Sequence, residues 1–227
     1  MSFDVNDHAR CEQMIRTAVD ELRSLDLEGD TKQKKVFRFY APRAVQLGEA
    51  ALLVFDMVTP LAILARVLLE DAIIAHFAAL SEENAAECID RADKAQRRFV
   101  RALILSGNSL VEKTVERETL DILEDENLRT DSLEEIAGKS GVKILYDRHF
   151  RLGSGELHGS YLAAGPDFEY SLTVARGSAA IALTLTLAAI KHPTESGEAA
   201  RLIREFELKL QKEPLSDVHT WAESLNG

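Results

Sequence analysis

The sequence predicts an all-α fold, a single-domain helical bundle of about seven to nine helices over residues 1–227. Three observations lead to this prediction. Hydrophobic residues make up 46% of the chain, which has only 5 prolines and 12 glycines. Apolar residues recur at helical rather than alternating spacing. No internal repeat or low-complexity linker divides the chain, whose length fits one domain.

Four helices are predicted in the first half of the chain. The first runs from Asp4 to Leu27, and Gly29 closes it. The next begins near Pro42 and continues through Met57. Proline removes an amide donor and crowds the preceding turn, so Pro60 is expected to kink this helix or to start a new one. Ser81 is a suitable N-cap for a helix that ends near Leu105.

The second half of the chain continues the helical pattern. Further helices are predicted over 110–128, 132–139, 142–164, 178–190 and 194–211, with a tail to residue 227. The stretch Phe168–Val174, FEYSLTV, alternates like a strand but has no partner strand, and we expect an extended loop. The helix after Gly177 is apolar on all sides, which is typical of the centre of a core.

The charge of the chain is acidic overall but uneven. A formal net charge of −11 repels polyanions at long range, and DNA is not expected as a partner. The segment Thr31–Arg43 nevertheless holds five basic and no acidic residues, interleaved with aromatic side chains that can stack on bases. Its alternative interpretation is a loop whose aromatic residues anchor to the bundle. Arg91–Arg101 is a second basic segment, typical of a solvated helix face.

The location is predicted to be cytoplasmic, with no membrane partner. Cys11 and Cys88 form no ligand motif or disulfide framework, and the N-terminus lacks the pattern of a signal peptide. Charged residues interrupt Ala50–Leu80, and Ser178–Ile190 is too short to span a bilayer. No histidine or cysteine has a recognisable metal spacing, and neither a metal nor another cofactor is expected.

A polar stripe near residue 150 is the first candidate site. On a helix one narrow stripe would contain Asp147, Arg151, Ser154 and His158. Tyr146 belongs to an apolar stripe about 100° away, so the polar stripe borders the core. Polar groups at such a border are partly desolvated and need partners.

Arg66 and Glu70 are the second candidate site. They lie four residues apart on an otherwise apolar helix, where they can form an ion pair removed from bulk water. If this helix packs beside the one that carries His158, the two groups form one polar cluster with Arg151 and Ser154. The alternative is a structural hydrogen-bonding network that joins two helices.

Two resemblances accompany these residues. The run LEEIAGKSGVKILYDRHFRLGSGELHGS, with ARVLLED upstream, resembles an uncharacterised family of prokaryotic helical proteins, and the similarity covers about 61–80 and 133–161. This resemblance implies an architecture and no activity. More distantly, Arg151 and His158, six residues apart, resemble the motif of HEPN domains, although the polar residue that commonly follows the arginine is Leu152 here.

The HEPN resemblance implies metal-independent RNA cleavage in a homodimer, in a toxin or defence system. His158 would then assist proton transfer at a ribose 2′-hydroxyl, and Arg151 would stabilise charge on the phosphate. The alternative function is a non-catalytic helical module that has a structural role or binds a partner protein. The sequence leaves open whether the chain is an enzyme.

Overall fold

The computed structural model describes residues 8–105, 130–147, 168–191 and 193. These residues form no strand, and their helical elements are, in chain order, α1 (His8–Arg23), α2 (Lys32–Leu53), α3 (Val58–Leu80), α4 (Glu82–Leu105), α5 (Leu133–Lys139), α6 (Lys143–Leu145) and α7 (Phe168–Lys191). The predicted all-α bundle is confirmed. Because α6 is a single turn, this part of the chain holds six full helices, slightly below the predicted seven to nine.

Helices α1 and α7 run parallel to each other, and α2 packs against both. At one end of the pair, His8 lies 3.4 Å from the hydroxyl of Thr173, and at the other end Lys191 forms an ion pair with Glu21. Gly48 of α2 lies at the junction of the three helices, where the absence of a side chain permits close packing.

Helix α3 runs antiparallel to α2. Arg43 in the middle of α2 pairs with Asp71, whereas Gln33 near its start donates to the carbonyl of Ala79 near the end of α3. Helix α4 reverses direction after Ser81 and therefore runs parallel to α2. Helix α2 therefore contacts α1, α3, α4 and α7, and Lys35, Arg38, Phe39 and Arg43 are among its exposed residues.

The core lies between α3 and α7, the pair of helices with the largest mutual contact. Both helices are rich in alanine, so their backbones approach closely. The buried apolar residues of α7 are Leu172, Ala175, Ala179, Ala180, Ile181, Ala182, Leu183, Leu185, Ala188, Ala189 and Ile190. The stretch Leu172–Lys191 is long and apolar enough to cross a membrane, and 78% of it is buried inside the bundle. The helix predicted over 178–190 begins ten residues earlier, at Phe168.

The predicted start of α2 near Pro42 was also wrong. Thr31 caps the helix, since its hydroxyl accepts from the amide of Lys34 at 3.1 Å. The basic segment after Thr31 is thus helix rather than loop. Pro42 lies inside α2 on the exposed side, where water can satisfy the carbonyl of Arg38 that loses its amide partner.

The stretch Phe168–Val174 is helical and not the expected extended loop. It forms the first two turns of α7. Leu172 and Ala175 are buried at helical spacing, which continues to Ala179. Tertiary packing therefore overrides the local alternating pattern.

Other predicted boundaries hold closely. Helix α3 begins at Val58, with Pro60 in its first turn, and Ser81 caps α4 through the amide of Asn84. Ser132 and Glu135 form a capping box at the start of α5. Helix α1 ends at Arg23, earlier than predicted. The helices predicted over 110–128, 148–164 and 194–211 lie outside the described residues.

Candidate nucleic-acid interface

An exposed row of cationic and aromatic side chains runs along α2. Lys35, Phe39 and Arg43 are four residues apart, so they follow one another on the same side of the helix. All three are exposed, and Arg38 is exposed beside them. The row places one aromatic ring between two cations.

The charge of this surface is not neutralised by α2 itself. The sequence from Lys32 to Gly48 contains five basic and no acidic residues. Among the described residues, the side chains of Lys35 and Arg38 form no hydrogen bond or ion pair, whereas Lys34 donates to the carbonyl of Asp26 at 2.8 Å. Two hydrated cations are therefore free to meet an anionic ligand.

Phe39 is 61% exposed. The ring of Tyr40 contacts the ring of Phe39 edge to face, with the two centroids 5.0 Å apart and the planes at 87°. An exposed ring that is held in place by a neighbour is a suitable surface for stacking a planar group.

Arg43 links this surface to the core through a buried carboxylate. Its Nε donates to Oδ2 of Asp71 at 2.6 Å. The Arg43 side chain is 45% exposed and that of Asp71 only 6%, so the guanidinium lies at the boundary between solvent and core. No other side-chain hydrogen bond of Arg43 is present among the described residues, which leaves its remaining N–H groups available.

The environment of Asp71 disfavours its charge. Burial raises the pKa of Asp71 to about 6, and the nearby charge of Glu70 acts in the same direction. The hydrogen bond and the positive charge of Arg43 oppose this rise without cancelling it.

Tyr40 and Cys88 are held in their neutral forms. The pKa of Tyr40 is raised well above its usual value, first by burial and then by the negative charge of Asp71. Burial raises the pKa of the Cys88 thiol to about 12, so this cysteine is a core residue and not a nucleophile at neutral pH.

The structure describes some of the candidate residues named from the sequence and not others. Arg66 and Glu70 are both half-buried on α3, and the described ion pairs do not include one between them. The carboxylate that pairs here is Asp71, one residue later. Tyr146 is partly buried and packs against the core. Arg151, Ser154 and His158 lie outside the described residues, so the predicted convergence of the two groups stays a prediction.

Sequence reasoning missed the pair of Arg43 and Asp71. The available signal was a charged residue in the middle of the apolar run of α3, which predicts a buried group that needs a partner. The partner could not be identified, because the predicted start of α2 near Pro42 placed Arg43 in the first turn of a helix and not in its middle.

A second buried charge belongs to α7 and lies near the C-terminal end of α2. Arg176 is 5% exposed, and its Nε donates to the carbonyl of Phe55 at 3.0 Å. Its guanidinium also pairs with Asp56, contacts Nδ1 of His8 at 2.7 Å and lies 4.6 Å from the centre of the Phe55 ring. These contacts tie the loop between α2 and α3 to α1 and α7.

His76 is a buried histidine at the junction of α3 and α5. Burial lowers the pKa of His76, and the main chain of Ser140 opposes this effect only partly. The Nδ1 atom forms no hydrogen bond among the described residues. Among all the residues that the structure describes, no three histidine, cysteine or carboxylate side chains are grouped so that they could hold a metal ion.

The family of the chain is shown by its sequence. Residues 34–169 match the model of a family described as Family of unknown function (DUF5677). The chain belongs to this family. The matched segment of DUF5677 contains the row on α2 and the pair of Arg43 and Asp71, and it leaves out α1 and nearly all of α7. No curated protein and no solved structure matches the chain. The predicted membership of an uncharacterised family is thereby confirmed.

Proposed function

We propose that this protein binds single-stranded RNA along the exposed row of α2 and cleaves it with Arg151 and His158, without a metal ion. The observation that carries the proposal is the order of side chains in the row, with Phe39 between Lys35 and Arg43. Proteins that bind single strands combine cations that follow the backbone with aromatic rings on which bases stack.

The dimensions of the row fit such a ligand. An α-helix rises 1.5 Å per residue, so Lys35 and Arg43 are separated by about 12 Å along the axis of α2. This distance is on the scale of a few nucleotides. One base stacks on Phe39, while the phosphates on either side meet the two cations. The overall negative charge of the chain disfavours contact with RNA away from its basic segments.

The proposed cleavage is an attack within the RNA strand. His158 accepts the proton of a ribose 2′-hydroxyl, whose oxygen then attacks the adjacent phosphorus atom. The 5′-oxygen of the next nucleotide leaves and takes up a proton, which gives a 2′,3′-cyclic phosphate and a 5′-hydroxyl. Arg151 stabilises the charge on the phosphate during this step. We also propose that the chain forms a homodimer, which brings two such motifs together. The dimer acts in the cytoplasm as part of a toxin or defence system.

A second function, a protein-interaction module, is favoured by apolar side chains near the loop that Arg176 holds. Leu53 is 86% exposed, Met57 54% and Ile63 43%. Such side chains are common at protein interfaces. If the chain has this second function, binding of a protein partner, and not of RNA, depends on Leu53 and Met57.

The salt dependence of RNA binding tests the first function. Fluorescence anisotropy with a labelled single-stranded RNA measures Kd between low and physiological salt for the wild type and for Lys35→Gln/Arg38→Gln. Each neutralised phosphate contributes about 0.7 to the slope of log Kd against log salt, so the double variant should lower the slope by about 1.4. Equal slopes would contradict binding at this face.

The cleavage step is tested separately in EDTA. Wild-type protein should convert the RNA to products ending in a 2′,3′-cyclic phosphate, and His158→Ala should bind the RNA with unchanged Kd but leave it intact. Binding without cleavage by the wild type would reduce the function to RNA binding. A large drop in the Tm of His158→Ala would instead indicate a structural network around that residue.

A further inference from the structure

We propose that Asp71 is a positioning residue, which holds one edge of the Arg43 guanidinium so that the opposite edge faces a phosphate of the bound strand. This inference rests on the proposed RNA binding and deepens it. It assigns a role to a carboxylate that lies beneath the surface and that RNA cannot reach.

The geometry supports a fixed orientation. The guanidinium is planar, and a hydrogen bond of 2.6 Å from its Nε to Asp71 fixes the direction of the plane. Asp71 is only 4% exposed and lies in the middle of α3, among buried residues of the core. Because the bond to Asp71 engages Nε, the two terminal nitrogens of the half-exposed Arg43 remain available in the fork geometry that suits a phosphate.

The comparison with Arg38 shows what the carboxylate adds. Arg38 is exposed on the same helix, yet it has no side-chain partner among the described residues. The Arg38 guanidinium is not held in one orientation by a described partner, so binding of a phosphate costs more side-chain entropy there. Arg43 has lost part of that freedom in advance. We therefore assign the larger share of the affinity to Arg43 and use Arg38→Gln as the matched control.

Asp71 is surrounded by groups whose charge matters to the test. Arg43 and the phenol of Tyr40 face it from α2, and Glu70 is its neighbour on α3. Arg91 of α4 acts on Tyr40 from the other side. Burial raises the pKa of Asp71 to about 6, so the carboxylate is charged at pH 7.5 and protonated at pH 5.

The test compares Kd for a labelled single-stranded RNA at pH 7.5 and pH 5. At pH 7.5, Arg43→Gln should weaken binding on the order of tenfold, and Arg38→Gln less. Asp71→Asn should weaken it severalfold at pH 7.5 although it removes a negative charge. At pH 5 Asp71→Asn and the wild type should have equal Kd, because both then carry a neutral group at position 71.

The outcomes separate this inference from the proposed function. If the wild type binds no RNA, both are overturned. If the wild type binds and Asp71→Asn binds equally well or more tightly at pH 7.5, only the role of Asp71 is overturned. Arg43→Lys keeps the charge without the planar fork, and a wild-type Kd for this variant would also overturn that role. Thermal melting at both pH values checks that each variant is folded.

Discussion

At the scale of single residues, the buried carboxylate of Asp71 lies in surroundings that disfavour its charge. The residue is 4% exposed and its partner Arg43 is half outside the core. Desolvation therefore outweighs the ion pair, and the pKa of Asp71 rises to about 6. A buried ion pair of this kind is retained at the expense of stability, which is understandable if the orientation of Arg43 serves a function.

The pKa of Asp71 predicts the pH dependence of stability. The carboxyl is raised to about 6 in the folded chain and lies near 3.9 in the unfolded chain, so its contribution to stability is fully present below pH 4 and is lost as the pH rises through 6. Asp71→Asn removes this loss. Relative to the wild type, the free energy of unfolding of the variant should rise by roughly 2–3 kcal/mol between pH 4 and pH 7. Urea denaturation at several pH values measures it, and a constant difference would refute the assignment.

The sequence could reach only part of this residue-scale picture. It identified Arg66 and Glu70 as half-buried groups from their apolar surroundings, and their burial agrees with that reasoning. It could not identify Asp71 as the paired carboxylate, because the choice between adjacent acidic residues depends on which side of α3 faces α2. That orientation follows from packing and not from the spacing within one helix.

At the scale of helices, the errors of the sequence analysis have two physical causes. Pro42 was treated as a helix start, whereas it lies inside α2 where its missing hydrogen bond is on the solvent side. The alternation of Phe168–Val174 suggested extended backbone, whereas burial of Leu172 in the core stabilises a helix there. Capping signals at Ser81 and Ser132 predicted their helices well, because a cap acts locally.

The junction of α1, α2 and α7 gives a prediction about helix packing. A Cβ added at Gly48 would lie 2.5 Å from Cγ2 of Val19 and 3.1 Å from Cδ1 of Leu183. Valine is stiff at χ1 and cannot move aside without shifting α1. Gly48→Ala should therefore destabilise the fold by about 1–2 kcal/mol, even though alanine favours a helix.

Gly138 is the matched control for this prediction. It lies in α5, and a Cβ added there meets nothing within 4 Å. Gly138→Ala should stabilise the protein by about 0.5–1 kcal/mol through helix propensity alone. Urea denaturation of both variants checks the pair, and opposite signs are expected. A stabilising Gly48→Ala would show that the three helices are not packed as closely as described.

At the scale of the whole molecule, a strongly acidic chain carries a helix face without acidic residues. The net charge of −11 makes the basic row of α2 the more distinctive, because most of the surface repels a polyanion. The row lies within the segment that matches DUF5677, as does Asp71 beneath it. The all-α fold was predictable from composition and spacing. The row was not, because it requires the residues after Thr31 to be helical.

The proposed function separates RNA binding and RNA cleavage between different parts of the molecule. In the proposed function, helix α2 binds the strand, and Arg151 and His158 cleave it. Because these two functions rest on different residues, the loss of one need not abolish the other. RNA binding should therefore survive His158→Ala, and cleavage should weaken when the row on α2 is altered.

Binding of RNA at the exposed row of α2 is best tested by the affinity of Phe39→Ala for a short single-stranded RNA. Base stacking on an aromatic ring contributes about 1–3 kcal/mol, so Kd should rise roughly 5- to 150-fold while Tm stays unchanged. Leu53→Ala, which alters an even more exposed apolar residue at the far end of the same helix, should leave Kd unaltered. Equal affinity of the wild type and Phe39→Ala would show that RNA does not bind at this row.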